Sequence, residues 1–316
     1  MFTLRDLDRG LPVRLQDDDV PPAEPSVTVV SGLLLAVAAL LVLNALLGPL
    51  AFEVIRYHYS ASMLAQGAGL DAVALLLVAP VAVVAARLVR RRPTAGLVLS
   101  LAPATFTAYM APQYLIGPDY LGLPGNNERF VVLHLVMLVS ALALLATAWS
   151  ALRERALPPV TGRSVRHWSW VMAGVVAFIA VVRWLPALAT LTSGRDLGAA
   201  WHDNPTAYLL VGLLDVGLVV PAAVAAGIGL RRGARWARLA AHAVVMWFAL
   251  VPASVAAMAI AMVVRDVPDA SPAAAYGFSI AAVIFMAAAA GLIRPVLRSD
   301  QPGITEPGVT ATATTV

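Results

Sequence analysis

The sequence predicts an all-α polytopic membrane helical bundle of eight transmembrane helices, with N- and C-termini cytoplasmic. Three observations predict it. Hydrophobic residues make up 60% of the chain and charged residues 13%, with a mean hydropathy of +0.82, whereas a soluble domain carries about a quarter charged residues. The apolar residues gather in stretches of roughly 20 or more, the length a helix needs to cross a hydrocarbon core of ~30 Å. The arginines fall almost entirely on one side of those stretches, as the positive-inside rule expects.

Residues 1–26 carry Arg5, Arg9 and Arg14, an acidic run Asp17–Asp19, and Pro21, Pro22 and Pro25. They read as a cytoplasmic N-terminal tail. A secretory signal is not expected, because the apolar stretch that follows is full length and lacks a small-residue cleavage site. Residues 27–298 form the transmembrane domain, with spans expected at about 28–50, 68–90, 94–115, 130–151, 167–192, 206–230, 236–264 and 273–296. Residues 299–316 are rich in Thr, Pro and Gly and read as a disordered cytoplasmic tail.

All 22 basic residues are arginine. With the N-terminus inside, 17 fall on cytoplasmic segments, four (Arg56, Arg129, Arg195 and Arg265) fall outside, and Arg183 lies within a span. One missed span would exchange inside and outside beyond it, so the split supports the even count as well as the orientation. The pI near 9.8 follows from these clusters and implies no nucleic acid. There are no cysteines, which excludes disulfides, thiolate catalysis and cysteine metal sites.

An echo links span 2 (LDAVALLLVAPVAVVAARLVRR) with span 6 (LLDVGLVVPAAVAAGIGLRR). Pro80 precedes Arg90 by ten residues, and Pro221 precedes Arg231 by ten. If the echo is a repeat, spans 1–4 and 5–8 are parallel halves, a 4+4 arrangement about an axis along the membrane normal.

The ionisable groups inside spans are few: Asp71 in span 2, Asp215 in span 6 and Arg183 in span 5. Each alone would cost on the order of 3 kcal/mol on insertion scales. Arg183 is nine residues from the outer end of span 5 and Asp215 about ten from that of span 6. At 1.5 Å per residue both lie roughly 14–15 Å deep, so an intramembrane ion pair between them is expected. That pair either sets helix register or lines a cavity open to the outside. Polar residues crowd the outer half, and Asn44, Glu53, Asp71, Gln113, Asn127 and His134 are the candidate lining of such a cavity. His58, His134 and His202 near the outside, and His167 and His242 near the inside, do not meet at matched depths on facing helices. No metal, haem or other cofactor is expected. Nucleotide-binding, zinc-protease and serine-hydrolase signatures do not occur. Pro80, Pro103, Pro112, Pro186, Pro221 and Pro252 fall inside spans, where they free backbone carbonyls and permit kinks.

On these residues the chain resembles an uncharacterised family of bacterial eight-span integral membrane proteins. Its members typically show G-Q-D opening span 2, F-N-x-x-F opening span 4, and N-P followed by L-D-L and a proline in span 6. Here the first reads Gly69-Leu70-Asp71, the second Asn126-Asn127-Glu128-Arg129-Phe130, and the third Asn204-Pro205 with Leu214-Asp215-Val216 and Pro221, where Val216 replaces the motif's last leucine and more residues lie between Asn-Pro and Leu-Asp than in the family. The resemblance covers most of residues 30–295 and singles out Asp71, Asn127 and Asp215. Leu70 cannot make the hydrogen bond that a glutamine would. The resemblance implies a bacterial cell membrane protein and names no reaction.

Three functions fit these residues. One is small-molecule or ion transport or binding through an outward-facing polar cavity, with Asp215 as the responsive site and Arg183 its counter-charge. Another is an intramembrane enzyme acting on a lipid or isoprenoid, with Asp71 and Asp215 as acid and base; a counter-charged Asp215 would be a poor acid. The third is a non-catalytic membrane assembly subunit. The partners implied are the lipid bilayer and a small-molecule or lipid substrate.

Overall fold

The computed structural model describes residues 27–155, 157, 162–268 and 270–299; both predicted tails lie outside them, save Ser299. Every regular element among the described residues is helical. Eight helices are long and apolar enough to cross a bilayer: span 1 Val27–Leu47, span 2 Ala61–Arg91, span 3 Pro93–Ile116, span 4 Asn127–Arg153, span 5 Arg163–Thr192, span 6 Pro205–Arg231, span 7 Arg235–Val264 and span 8 Pro272–Ser299.

Span 2 begins seven residues before its apolar stretch. The Ser60 side chain caps it by accepting the Met63 N–H, and a capped turn holds Ser62 and Gln66 in helix although neither is apolar. Span 3 is the central post: 78% of its most apolar window is buried, against 22% for spans 4, 5 and 8. It packs against spans 1, 2, 4 and 7. Because its residues face protein nearly all round, it tolerates polar side chains that a lipid-facing helix would not.

Spans 2, 5 and 6 each widen to π geometry, at Ala74–Val78, Ala177–Trp184 and Asp215–Val219. Each widened turn ends two residues before a proline: Pro80, Pro186 and Pro221. A proline offers no N–H and its ring clashes with the carbonyl four residues back. Those carbonyls belong to Leu76, Val182 and Gly217, all inside the widened segments. The ladder shifts to five-residue bonds instead, as from Val220 N–H to the Asp215 carbonyl. Pro103, Pro112 and Pro252 sit in uninterrupted α-helix.

The arginine-poor end is tied together by loop hydrogen bonds. Asn126 Oδ1 accepts the Arg56 N–H at 2.8 Å and its Nδ2 donates to the Val54 carbonyl, joining the loop before span 2 to that before span 4. Asn204 Nδ2 donates to the Gly117 carbonyl at 2.8 Å, and Arg265 Nη2 to the Pro49 carbonyl at 2.9 Å. Loops that follow alternate spans thus gather at one end, as an up-and-down order requires.

At the arginine-rich end the halves of spans 5 and 6 pack on one another and on span 7. Their other halves, Leu185–Thr192 and Pro205–Leu214, stand apart from spans 7 and 8, with no more than marginal contact, although Pro205–Leu214 leans on span 3. The bundle therefore opens as a wedge toward its arginine-poor end.

Candidate functional site

Asn204 starts span 6 by accepting the Ala207 N–H on its side-chain oxygen, and eleven residues on the helix delivers Asp215 to the wedge. Three donors converge on that carboxylate. The Tyr109 hydroxyl donates to Oδ1 at 2.7 Å, the Trp184 indole N–H to Oδ2 at 2.8 Å, and Arg183 Nε approaches Oδ2 at 3.5 Å. Acceptor-only oxygens with charge-assisted donors form the stronger class of hydrogen bond. The Arg183 guanidinium carbon also lies 5.3 Å from the Trp184 ring centroid, within cation–π reach. The widened turn sets the Trp184 approach: Gly212 passes so close that a Cβ there would lie 2.8 Å from the indole edge.

Above and below this pair lies a cavity of about 960 Å³, at the upper end of the range that holds small-molecule ligands. It is layered. Its mouth has Ser60, Ser62, Gln66, Gln113, His202, Asp203 and Asn204, its middle Arg183, Asp215 and Tyr109, and its floor Phe178, Trp247, Phe248 and Val251. Counting residues from the helix ends puts Arg183 and Asp215 about 15 Å down and Phe248 about 24 Å down. The exposed charge is the guanidinium. The Arg183 side chain is 45% exposed against 8% for Asp215, and among the described residues its terminal nitrogens have no hydrogen-bond acceptor.

Asp71 occupies a different place. It is 1% exposed and packs with Asn44, Tyr57, Tyr114 and His134. Asn44 Nδ2 donates to Asp71 Oδ1 at 3.4 Å, and the Tyr114 hydroxyl donates to the same oxygen at 3.5 Å. The Tyr57 hydroxyl donates to Asn44 Oδ1 at 3.0 Å and lies 3.1 Å from His134 Nε2. Tyr114 stacks on His134 with centroids 5.3 Å apart. Among the described residues, Asp71 Oδ2 and His134 Nδ1 have no hydrogen-bond partner. Gly48 makes room: a Cβ there would lie 2.6 Å from Asp71 Oδ2.

The expected lining of one polar cavity is therefore divided. Gln113 lines the large cavity, with its amide turned back to the Tyr109 carbonyl. Asn44, Asp71 and His134 form the sealed cluster and are not on the cavity wall, because span 2 turns Leu70 toward the cavity and Asp71 away from it. Asn127 is a buried clasp, accepting the His58 N–H and donating to the Tyr114 carbonyl and the Tyr120 hydroxyl. Glu53 is exposed beside a smaller cavity of about 310 Å³ that Arg56, Tyr57 and Arg265 share. The sequence reading missed Tyr109, Trp184, Tyr57 and Tyr114. The available signal was depth, since Tyr109 lies about 10 Å below the end of span 3, where a hydroxyl needs a partner. Among the described residues no group of three or more His, Cys, Asp or Glu side chains is arranged for a metal. No family model, curated protein or solved structure matches the chain.

Proposed function

We propose that this chain is a bacterial cell membrane protein, with both termini cytoplasmic, that binds a small molecule from the outer side and transports it. The observation that carries this reading is the layered cavity, which enters from the arginine-poor end and holds the Arg183–Asp215 pair at its mid-level. An ionisable pair at such depth, touching a cavity rather than sealed in packing, is the usual mark of a substrate path. Movement has a physical basis in the widened turns before Pro80, Pro186 and Pro221, since such turns and prolines are where membrane helices bend. The matching turns in spans 2 and 6 also support the 4+4 repeat. The alternative, an intramembrane enzyme using both acids, needs Asp71 and Asp215 in one chamber, and Asp71 is not on the cavity wall.

The chain lacks cysteine, so a single introduced thiol reports on one position. Val211→Cys on the cavity wall is expected to react in intact cells with a membrane-impermeant maleimide, whereas Ala82→Cys, fully buried in span 2, is not. Labelling of Val211→Cys only in inverted vesicles would sink the proposed orientation, and no labelling from either side would sink the open cavity.

A further inference from the structure

We infer that the cavity's ligand is a small amphipathic anion, a carboxylate carried on an apolar body of aromatic or branched aliphatic type. The inference rests on the cavity being a binding site and names what that site takes.

Three features of the wall converge on this chemistry. Asp215 is spent as an anchor: its oxygens already take the Tyr109 hydroxyl, the Trp184 N–H and Arg183 Nε. The charge that remains presented is the outer edge of the Arg183 guanidinium, held by Asp215 on one side and by the Trp184 face on the other. A planar fork fixed in this way matches a carboxylate with two parallel N–H···O bonds. Below it the floor is Phe178, Trp247, Phe248 and Val251, with about 9 Å of helix between the level of Arg183 and that of Phe248. That depth accepts a phenyl ring or a short branched chain, and of these four side chains only Trp247 carries a polar group, its indole N–H. Above it, half-buried Ser62 and Gln66 line a polar way in for the head. Half-buried Asp203 at the mouth opposes an anion, but it precedes span 6, twelve residues ahead of Asp215, and so stands at the entrance and not at the level of the fork. The opposite polarity, a cation on Asp215, would have to displace two hydrogen bonds and sit beside Arg183.

The test uses full-length protein in lipid nanodiscs and three probes of one shape: 4-phenylbutyrate, 4-phenylbutanol and 4-phenylbutylamine, titrated by calorimetry. Wild type is expected to bind the acid about tenfold or more tighter than the alcohol, the margin of a hydrogen bond to a charged group, and the amine weakest. Arg183→Gln combined with Asp215→Asn removes both charges, so neither is left unpaired. This double variant is expected to bind acid and alcohol equally. Arg183→Lys keeps the charge without the fork and is expected to fall between. Equal affinity for acid and alcohol in wild type, or tighter binding of the amine, overturns the inference while alcohol binding leaves the cavity reading standing. Failure of all three probes to bind overturns both.

Discussion

Tyr109 and Trp184 each give one hydrogen to a carboxylate that is 6% exposed, so removing either donor deprives that acceptor of one of its partners. Tyr109→Phe keeps the ring and deletes the donor, and Trp184→Phe deletes the donor and trims the indole to a phenyl ring. Each is expected to lower stability by about 1.5–3 kcal/mol, the range for hydrogen bonds to charged groups, read as a fall in melting temperature in detergent. A change within error for both would show that the clasp does not hold Asp215. Arg183 contributes less to stability because it is half in the open. Its coupling to Asp215 in a double-mutant cycle should be on the order of 1 kcal/mol or below. The contrast with Asp71 is chemical. Its hydrogen-bond donors are the neutral Asn44 and Tyr114, at 3.4 and 3.5 Å, and it has no arginine beside it.

Between elements, glycine permits close backbone approach in the core. A Cβ on Gly69 would overlap the Ala257 backbone of span 7, so spans 2 and 7 cross where neither can carry bulk. Close contact at small residues is what holds membrane helices together, since lipid provides no hydrophobic drive between them. Gly69→Ala is expected to force the helices apart at a cost of about 1–3 kcal/mol. Because Leu70 lines the cavity next door, ligand affinity should fall with it; an unchanged melting temperature would contradict the crossing. This is also where sequence reading reaches its limit. Position along a helix is legible from residue count, and Arg183 and Asp215 can be set at one depth because hydropathy marks both span ends. Rotation about the helix axis is not legible, because spans 2, 5 and 6 are apolar on every side and each contains a widened turn that resets the angle of all later residues. Asp71 and Asp215 therefore look alike as acids in spans, and only packing shows that one faces a cavity and the other a sealed cluster. Tyr109 and Trp184 are hidden for a related reason: aromatic residues are ordinary in spans, and an indole N–H leaves no mark on a hydropathy profile.

Across the whole molecule, two kinds of joint hold the bundle. Spans 1–4 are knit at the arginine-poor end by side chain–backbone bonds, whereas the outer halves of spans 5 and 6 are moored chiefly through Asn204 and span 3. His58 belongs to the first joint. The Leu123 carbonyl on its Nδ1, and then Glu128 at 3.0 Å from its Nε2, hold its imidazole above the ordinary histidine value. The sign follows: a group whose pKa is raised in the folded state stabilises fully below its unfolded value, near 6.5, and loses that contribution as pH rises through the folded value. The melting temperature is expected to fall across that window in wild type and to fall less in His58→Gln. Equal slopes would show that the joint does not titrate. The eight-span count and the gathering of arginines at one end are legible in the sequence, because the bilayer imposes both on any chain that crosses it. The wedge is not, since it depends on which helices fail to touch.

Span 3 offers Tyr109 to Asp215 and Tyr114 to Asp71, five residues apart. At about 100° per residue the two hydroxyls leave the helix some 140° from one another, nearly back to back. The two bonds are unequal, 2.7 Å on the Asp215 side and 3.5 Å on the Asp71 side. One helix thus supplies a hydroxyl to each of the two buried acids, and a twist of span 3 about its axis would move both hydroxyls at once.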